Sequence, residues 1–163
     1  MFYTIGIDNG VSGTIAILTR CGQLVLHKDM PIKKELSYTK TKQYISRIDT
    51  VKLYLILKKY MNKEKDRYAV CYLERPMVNP GRFKATASAL RALEATLIVL
   101  ERIHIPYRYI DSKEWQRALL PKKIDKAELK NAAINIANRI FPGTQVKDAD
   151  GLLIAEYARR QYE

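Results

Sequence analysis

The chain has 163 residues, enough to bury roughly two thirds of its unfolded surface and too few for two large lobes, so one compact domain spanning 1–163 is expected. Lys and Arg number 29 against 17 Asp and Glu, a net charge of +12, which calls for a polyanionic partner, nucleic acid first. Hydrophobic residues make up 47%, too many for a disordered basic tail, and no apolar run nears the ~20 residues that span a bilayer. The opening Met1-Phe2-Tyr3-Thr4-Ile5 lacks the basic region and cleavage site of a signal peptide, so a reducing cytoplasm is expected. Cys21 and Cys71 have no Cys-x-x-Cys spacing and only His27 and His104 to help them, so they read as plain thiols and the histidines as structural residues.

In chain order, 2–7 is a short run of β-formers, Asn9-Gly10 is a hairpin signal, and 14–18 and 23–27 are the next strands, separated by Cys21-Gly22. An antiparallel three-strand meander is expected. Residues 31–43 read as a lysine-rich, turn-prone connection. Ile48, Val51 and Leu55 then fall at helical spacing, predicting an amphipathic helix to Tyr60. Residues 69–74 form a nearly continuous apolar run, suited to a strand buried on both faces, that stops at Glu74 and Pro76. Pro80-Gly81 marks a loop, 85–102 a helix rich in Ala and Leu, and 107–110 another strand. Asp111 with Glu114, and Asp125 with Glu128, have capping-box spacing, so two helices are expected there, the second running to Ile140 and stopped by Pro142-Gly143. The last helix begins around 148–150. Strands followed by helices alternating with strands indicate an α/β fold with a mixed sheet.

Acidic residues at the ends of apolar strands need a reason in so basic a chain. Asp8 closes the first strand, Glu74 closes the buried one, and Asp148 and Asp150 stand at the mouth of the last helix. Each has an ordinary explanation: Asp8 as a turn residue, Glu74 as a partner of Arg75, Asp148 as a helix cap. If the two strands are parallel neighbours, however, the acids converge, and a divalent cation such as Mg²⁺ relieves their repulsion. Two such ions about 4 Å apart can activate water and stabilise the leaving oxygen of a phosphodiester displacement.

Ile5-Gly6-Ile7-Asp8-Asn9-Gly10-Val11-Ser12-Gly13, Tyr72-Leu73-Glu74-Arg75-Pro76 and Lys147-Asp148-Ala149-Asp150-Gly151-Leu152-Leu153-Ile154-Ala155 together resemble the acidic motifs of RuvC-type Holliday-junction resolvases, most of all their phage-encoded branch. The resemblance covers nearly the whole chain in order. It implies a ribonuclease-H-like fold, a mixed five-stranded sheet flanked by helices. It also implies a homodimer, Mg²⁺ or Mn²⁺ with two ions per site, and paired incisions in four-way DNA junctions, in a bacterial cytoplasm that includes that of a phage-infected host. Carried over by motif, Asp8, Glu74 and Asp150 are metal ligands and Asp148 is the fourth acid. Two departures stand out: Asn9 where the first motif commonly has Pro, and Asp-x-Asp where many bacterial members have Asp-x-x-Asp. Residues two apart do not share a helix face, so Asp148 must lie in the loop or first turn to join the others.

The same resemblance matches Lys113 and Lys126 to lysines that assist at the scissile phosphate, and Met77 to an apolar residue inserted at the junction centre. Arg75, Arg82, Lys84, Lys33, Lys34, Lys40 and Lys42 read as phosphate contacts or, more blandly, as solubilising charge. Trp115 reads as core. Two other functions compete. One is a branched-DNA-binding module of the same fold without catalysis. The other is an actin-like or sugar-kinase ATP-binding domain, whose phosphate loop 8–14 also resembles, although such folds need two lobes. Along 85–102, Leu90, Leu93, Leu97 and Leu100 predict a face packed on the sheet, and Ala85, Ala89, Ala92, Thr96 and Val99 a small-residue stripe that packs on the first or last helix of the same chain or lies in or beside a homodimer interface, the second being the expectation for a protein that cuts two symmetry-related strands.

Overall fold

The apolar stretches at the front of the chain pair with one another. In the computed structural model, which describes residues 1–60 and 68–162, β1 (Phe2–Ile7), β2 (Thr14–Thr19) and β3 (Leu24–Asp29) form the antiparallel meander. Gly22 takes the left-handed φ of +84° that the second turn requires.

Residues 31–43 are not a plain connection. They contain β4 (Ile32–Leu36) and the tip of a two-stranded hairpin closed by β5 (Tyr44–Ile48). The lysines hid it: only the cross-strand pairs Ile32 with Ile48 and Leu36 with Tyr44 carry an apolar alternation, and these cannot be seen until the register is known. Next come α1 (Thr50–Tyr60), β6 (Tyr68–Glu74), a short 3₁₀ turn at Pro80–Arg82, α2 (Phe83–Arg102), β7 (Tyr107–Ile110), α3 (Ser112–Leu119), α4 (Leu129–Ile140) and α5 (Asp150–Arg160). The capping box at Asp111 and Glu114 forms as expected. That at Asp125 and Glu128 does not: 125–128 is a turn closed by Glu128 N–H donating to the Asp125 carbonyl at 2.9 Å, and α4 starts after it.

The main sheet runs β3-β2-β1-β6-β7, with β6 parallel to both β1 and β7. Side-chain alternation sorts its residues into two cores. Ile5, Ile7, Ile15, Ile17, Cys71 and Leu73 face α1 and α2, whereas Ala16, Leu18, Val70 and Tyr72 face α3, α4 and α5. Helix α5 lies directly on β1. A Cβ on Gly6 would sit 2.2 Å from the Ala155 nitrogen and the Gly151 oxygen, and one on Gly151 would sit 2.4 Å from the Thr14 carbonyl oxygen. Only glycine permits that approach.

Helix α2 corrects the expected faces. Ala92, Thr96 and Val99 are buried in the core under α2, so that part of the small-residue stripe is not free to meet another copy, whereas Ala85 is exposed, Ala89 is half-buried, and Leu100 is buried as the leucine face predicts. Leu93 and Leu97 are half-buried flanks, and Leu90 is 43% exposed. The physical reason is space: this face is already filled by β-strand isoleucines and by Leu53 and Leu57 of α1, so small residues let α2 sit close. Among the described residues no helix is long and apolar enough to cross a membrane.

Candidate active site

Register and alternation bring the first two acids together. Gly6 pairs with Tyr72 and Ile7 with Leu73 on parallel strands, so Asp8 and Glu74 leave the sheet side by side, close enough for the Glu74 charge to act on the Asp8 carboxyl. Asp8 N–H donates to the Thr14 carbonyl at 3.0 Å. The Thr14 hydroxyl in turn accepts from Gly151 N–H at 3.0 Å, which seats the first turn of α5 on the same rim. Asp148 lies just before that helix, and its Oδ1 accepts from Asp150 N–H at 3.2 Å. With one acid in the loop and the other in the first turn, both reach one point, as the Asp-x-Asp spacing demands. One carboxylate oxygen each from Asp8, Asp148 and Asp150 lie within 4.8 Å of one another.

The cluster is half-buried and electrostatically unfavourable by itself. Burial, then the charges of Glu74, Asp150 and Asp148, push the Asp8 carboxyl up to about 8. Burial, then Asp148 and Glu74, push Asp150 up to about 6, with Lys130 opposing. Trp115 is core, as expected, at 1% exposure, but its indole N–H also donates to Glu74 Oε1 at 3.4 Å. His27 packs against Asp148, and burial lowers its pKa.

The basic residues divide. Lys130 Nζ lies 3.3 Å from Asp148, a placement the sequence did not single out among so many lysines. Lys113 and Lys126 are exposed and make no ion pair with the acids among the described residues, although Ser112, beside Lys113, lines the cleft. That cleft, about 330 Å³, runs between Asp8, Glu74, Met77, Arg82, Thr86 and Ser112. Met77 stands at its lip, 83% exposed. Arg82, which lines the cleft, and Lys84 are exposed, and Arg75 pairs with Asp111 at 3.2 Å. Lys33, Lys34, Lys40 and Lys42 lie on the β4–β5 hairpin, with Lys33 paired to Glu35. Thr14 and Lys130 are the residues of the rim that sequence reasoning missed; neither belongs to a pattern that would have marked it. A larger cavity of about 620 Å³ opens at the opposite end of the sheet, between Phe2, Tyr68, Ile105, Tyr107 and Tyr162, and among the described residues no Asp or Glu lines it.

No protein-family model and no curated protein matches the sequence. Solved structures do. RuvC of T. thermophilus in complex with a Holliday junction substrate superposes with a TM-score of 0.67 at 12% identity, over 99% of this chain and 96% of that one. A further Thermus thermophilus RuvC structure gives 0.58 at 14% identity, over 98% and 96%. The chain has the fold of RuvC. The mixed five-stranded sheet flanked by helices expected from the sequence is thus present, and the acid rim of this RuvC fold sits where β1 and β6 end against α5.

Proposed function

We propose that the chain, as a single nuclease domain, is a metal-dependent endonuclease that cuts branched DNA, four-way junctions above all, in the bacterial cytoplasm. The observation that carries this reading is the meeting of Asp8, Glu74, Asp148 and Asp150 at one rim of a chain whose net charge is +12. Four carboxylates without a cysteine are a hard, all-oxygen donor set that suits Mg²⁺ or Mn²⁺, and the Asp8 and Asp150 carboxyls, raised by burial and then by mutual repulsion, carry a charge penalty that cations relieve. Bound there, a pair of such ions supplies an activated water and stabilises the leaving oxygen of an in-line displacement.

The chain's own residues do the rest. The parallel strands hold Asp8 and Glu74 at a fixed separation, and the Gly151 to Thr14 contact holds Asp150 against them. Lys130, with Lys113 and Lys126 farther out, brings positive charge toward the scissile phosphate. Arg75, Arg82 and Lys84 follow the backbone along the cleft, and Met77 enters the opened centre of the junction. A four-way junction offers two symmetry-related strands, so the second active site comes from a two-fold partner. The outward face of α2 suits that partner: Phe83 is 77% exposed, Leu90 43% and Ile98 52%.

The test is cleavage of synthetic four-way junctions, forks, duplex and single strands with Mg²⁺ or Mn²⁺. Paired symmetric incisions are expected in the four-way substrate. Asp8→Asn, Glu74→Gln and Asp150→Asn should each lower cleavage by about three orders of magnitude while junction binding persists. A wild-type protein that binds junctions but cuts none with either metal would leave only a binding module; stabilisation by ATP against heat would favour the kinase-like reading.

A further inference from the structure

The β4–β5 hairpin stands outside the main sheet and outside both cores except at its base. Its root is fixed at the acid rim: Met30 N–H donates to the Gly13 carbonyl at 2.9 Å, Thr14 is the register partner of Asp29, and Asp49 N–H donates to the Pro31 carbonyl at 2.8 Å. Ile48 is buried at 2% exposure, and β5 leans on α2. Beyond that root the ribbon face of Lys34, Leu36 and Tyr44 is bare. Leu36 and Tyr44, a cross-strand pair, are 57% and 72% exposed, and Tyr38 at the tip is 88% exposed. A two-stranded ribbon is marginal in water without something to pack on.

Charge identifies what covers it. Residues 31–48 carry five cations, Lys33, Lys34, Lys40, Lys42 and Arg47, against the single acid Glu35. Glu35 binds Lys33 and Arg47, whereas Lys34, Lys40 and Lys42 make no ion pair among the described residues. Lys34 shares its ribbon face with Leu36 and Tyr44, and Lys40 and Lys42 flank the tip. A second copy of a +12 chain would be repelled from such a surface. Duplex DNA would not: its major groove, about 12 Å wide, admits a two-stranded β-ribbon, and its phosphates line both walls.

We propose that the β4–β5 hairpin is a DNA arm that enters the major groove of the duplex leading away from the carboxylate rim. This rests on the nuclease reading for the position of the scissile strand. From root to tip the ribbon spans roughly 20 Å at 3.3 Å per residue, which reaches about six base pairs from the cut. Lys34, Lys40 and Lys42 then hold phosphates, while Tyr38 and Tyr44 lay their rings against base edges and sugars.

Hydroxyl-radical footprinting and salt-dependent binding of the metal-free protein on a four-way junction test this. Two variants serve: replacement of 37–43 by Asn-Gly, and Lys34→Ala with Lys40→Ala and Lys42→Ala, whose exposed positions leave the fold intact. The wild type should protect the arm to about six base pairs from the centre, and the shortened hairpin should lose the distal part of that protection. The triple variant should bind roughly ten- to a hundredfold more weakly and lower the log–log salt slope by about 3. A triple variant with wild-type footprint, affinity and slope overturns the arm alone. A wild-type protein that fails to bind the junction overturns the arm together with the nuclease reading.

Discussion

The acid rim and the β4–β5 hairpin leave the same end of the sheet and are built in opposite ways. At the rim, main-chain atoms touch: Gly6 lies under Ala155, Gly151 against Thr14, and like charges are forced together in a half-buried site. In the hairpin, Glu35 is paired with Lys33 and Arg47, and the remaining cations Lys34, Lys40 and Lys42 stand exposed to solvent. The rim holds an arrangement that is unfavourable until something binds, whereas the hairpin stores almost nothing. Substitutions in the two regions should therefore fail in different ways, one through stability and chemistry, the other through affinity alone.

The most damaging change should be Gly6→Ala. Its methyl would meet the α5 backbone at 2.2 Å, and backbone cannot step aside, so denaturant unfolding should show a loss of more than about 3 kcal/mol or no folded protein. A variant of wild-type stability would mean that α5 does not lie so close.

Next is Asp8→Asn, which should stabilise the metal-free protein. The folded carboxyl titrates at about 8, above an unfolded value of about 3.9. Between those values the folded state binds more protons, so wild-type stability falls as pH rises from about 4 to 8 and levels off beyond. The uncharged amide removes that penalty. Thermal melts in chelator should show the variant ahead by more than about 1 kcal/mol at pH 8, with the gap closing toward pH 4; a constant gap would break the contrast with the hairpin.

The smallest effect should come from Lys130→Ala. Its ammonium opposes the upward push on Asp150, so its loss should move the acidic limb of the cleavage pH profile to higher pH and slow cleavage several-fold. Lys126→Ala should leave that limb in place, because among the described residues Lys126 pairs with none of the acids and only Lys130 bears on the Asp150 carboxyl.

Much of the rim was legible because strand-end acids in a basic chain are conspicuous, and because an apolar run such as 69–74 has few ways to pack other than beside β1. The meander, β7 and the bodies of the helices followed from turn residues and periodicity, although Ile48, counted with the first helix, ends β5, and α4 starts later than its expected box. Three features did not. The hairpin carries its alternation in cross-strand pairs rather than along one strand. The α2 faces came out mixed, with Ala92, Thr96 and Val99 buried beside Leu100 and Leu90 exposed, because hydrophobicity ranks leucine above alanine for burial while the crowded layer over Ile5 and Ile7 selects for size. Lys130 meets Asp148 from the first turn of α4, and nothing in the spacing of so many lysines marks it out before the chain is folded.

The contact of α5 on β1 has a consequence for how such a molecule can change over time. Because the spacing of the acids is set where one main chain rests on another, most surrounding side chains contribute volume rather than position. They can be exchanged for others of similar bulk without moving Asp150 relative to Asp8. A lineage built this way can drift until hardly any of its sequence is recognisable and still keep its carboxylates in register, provided the two glycines and a handful of acids stay.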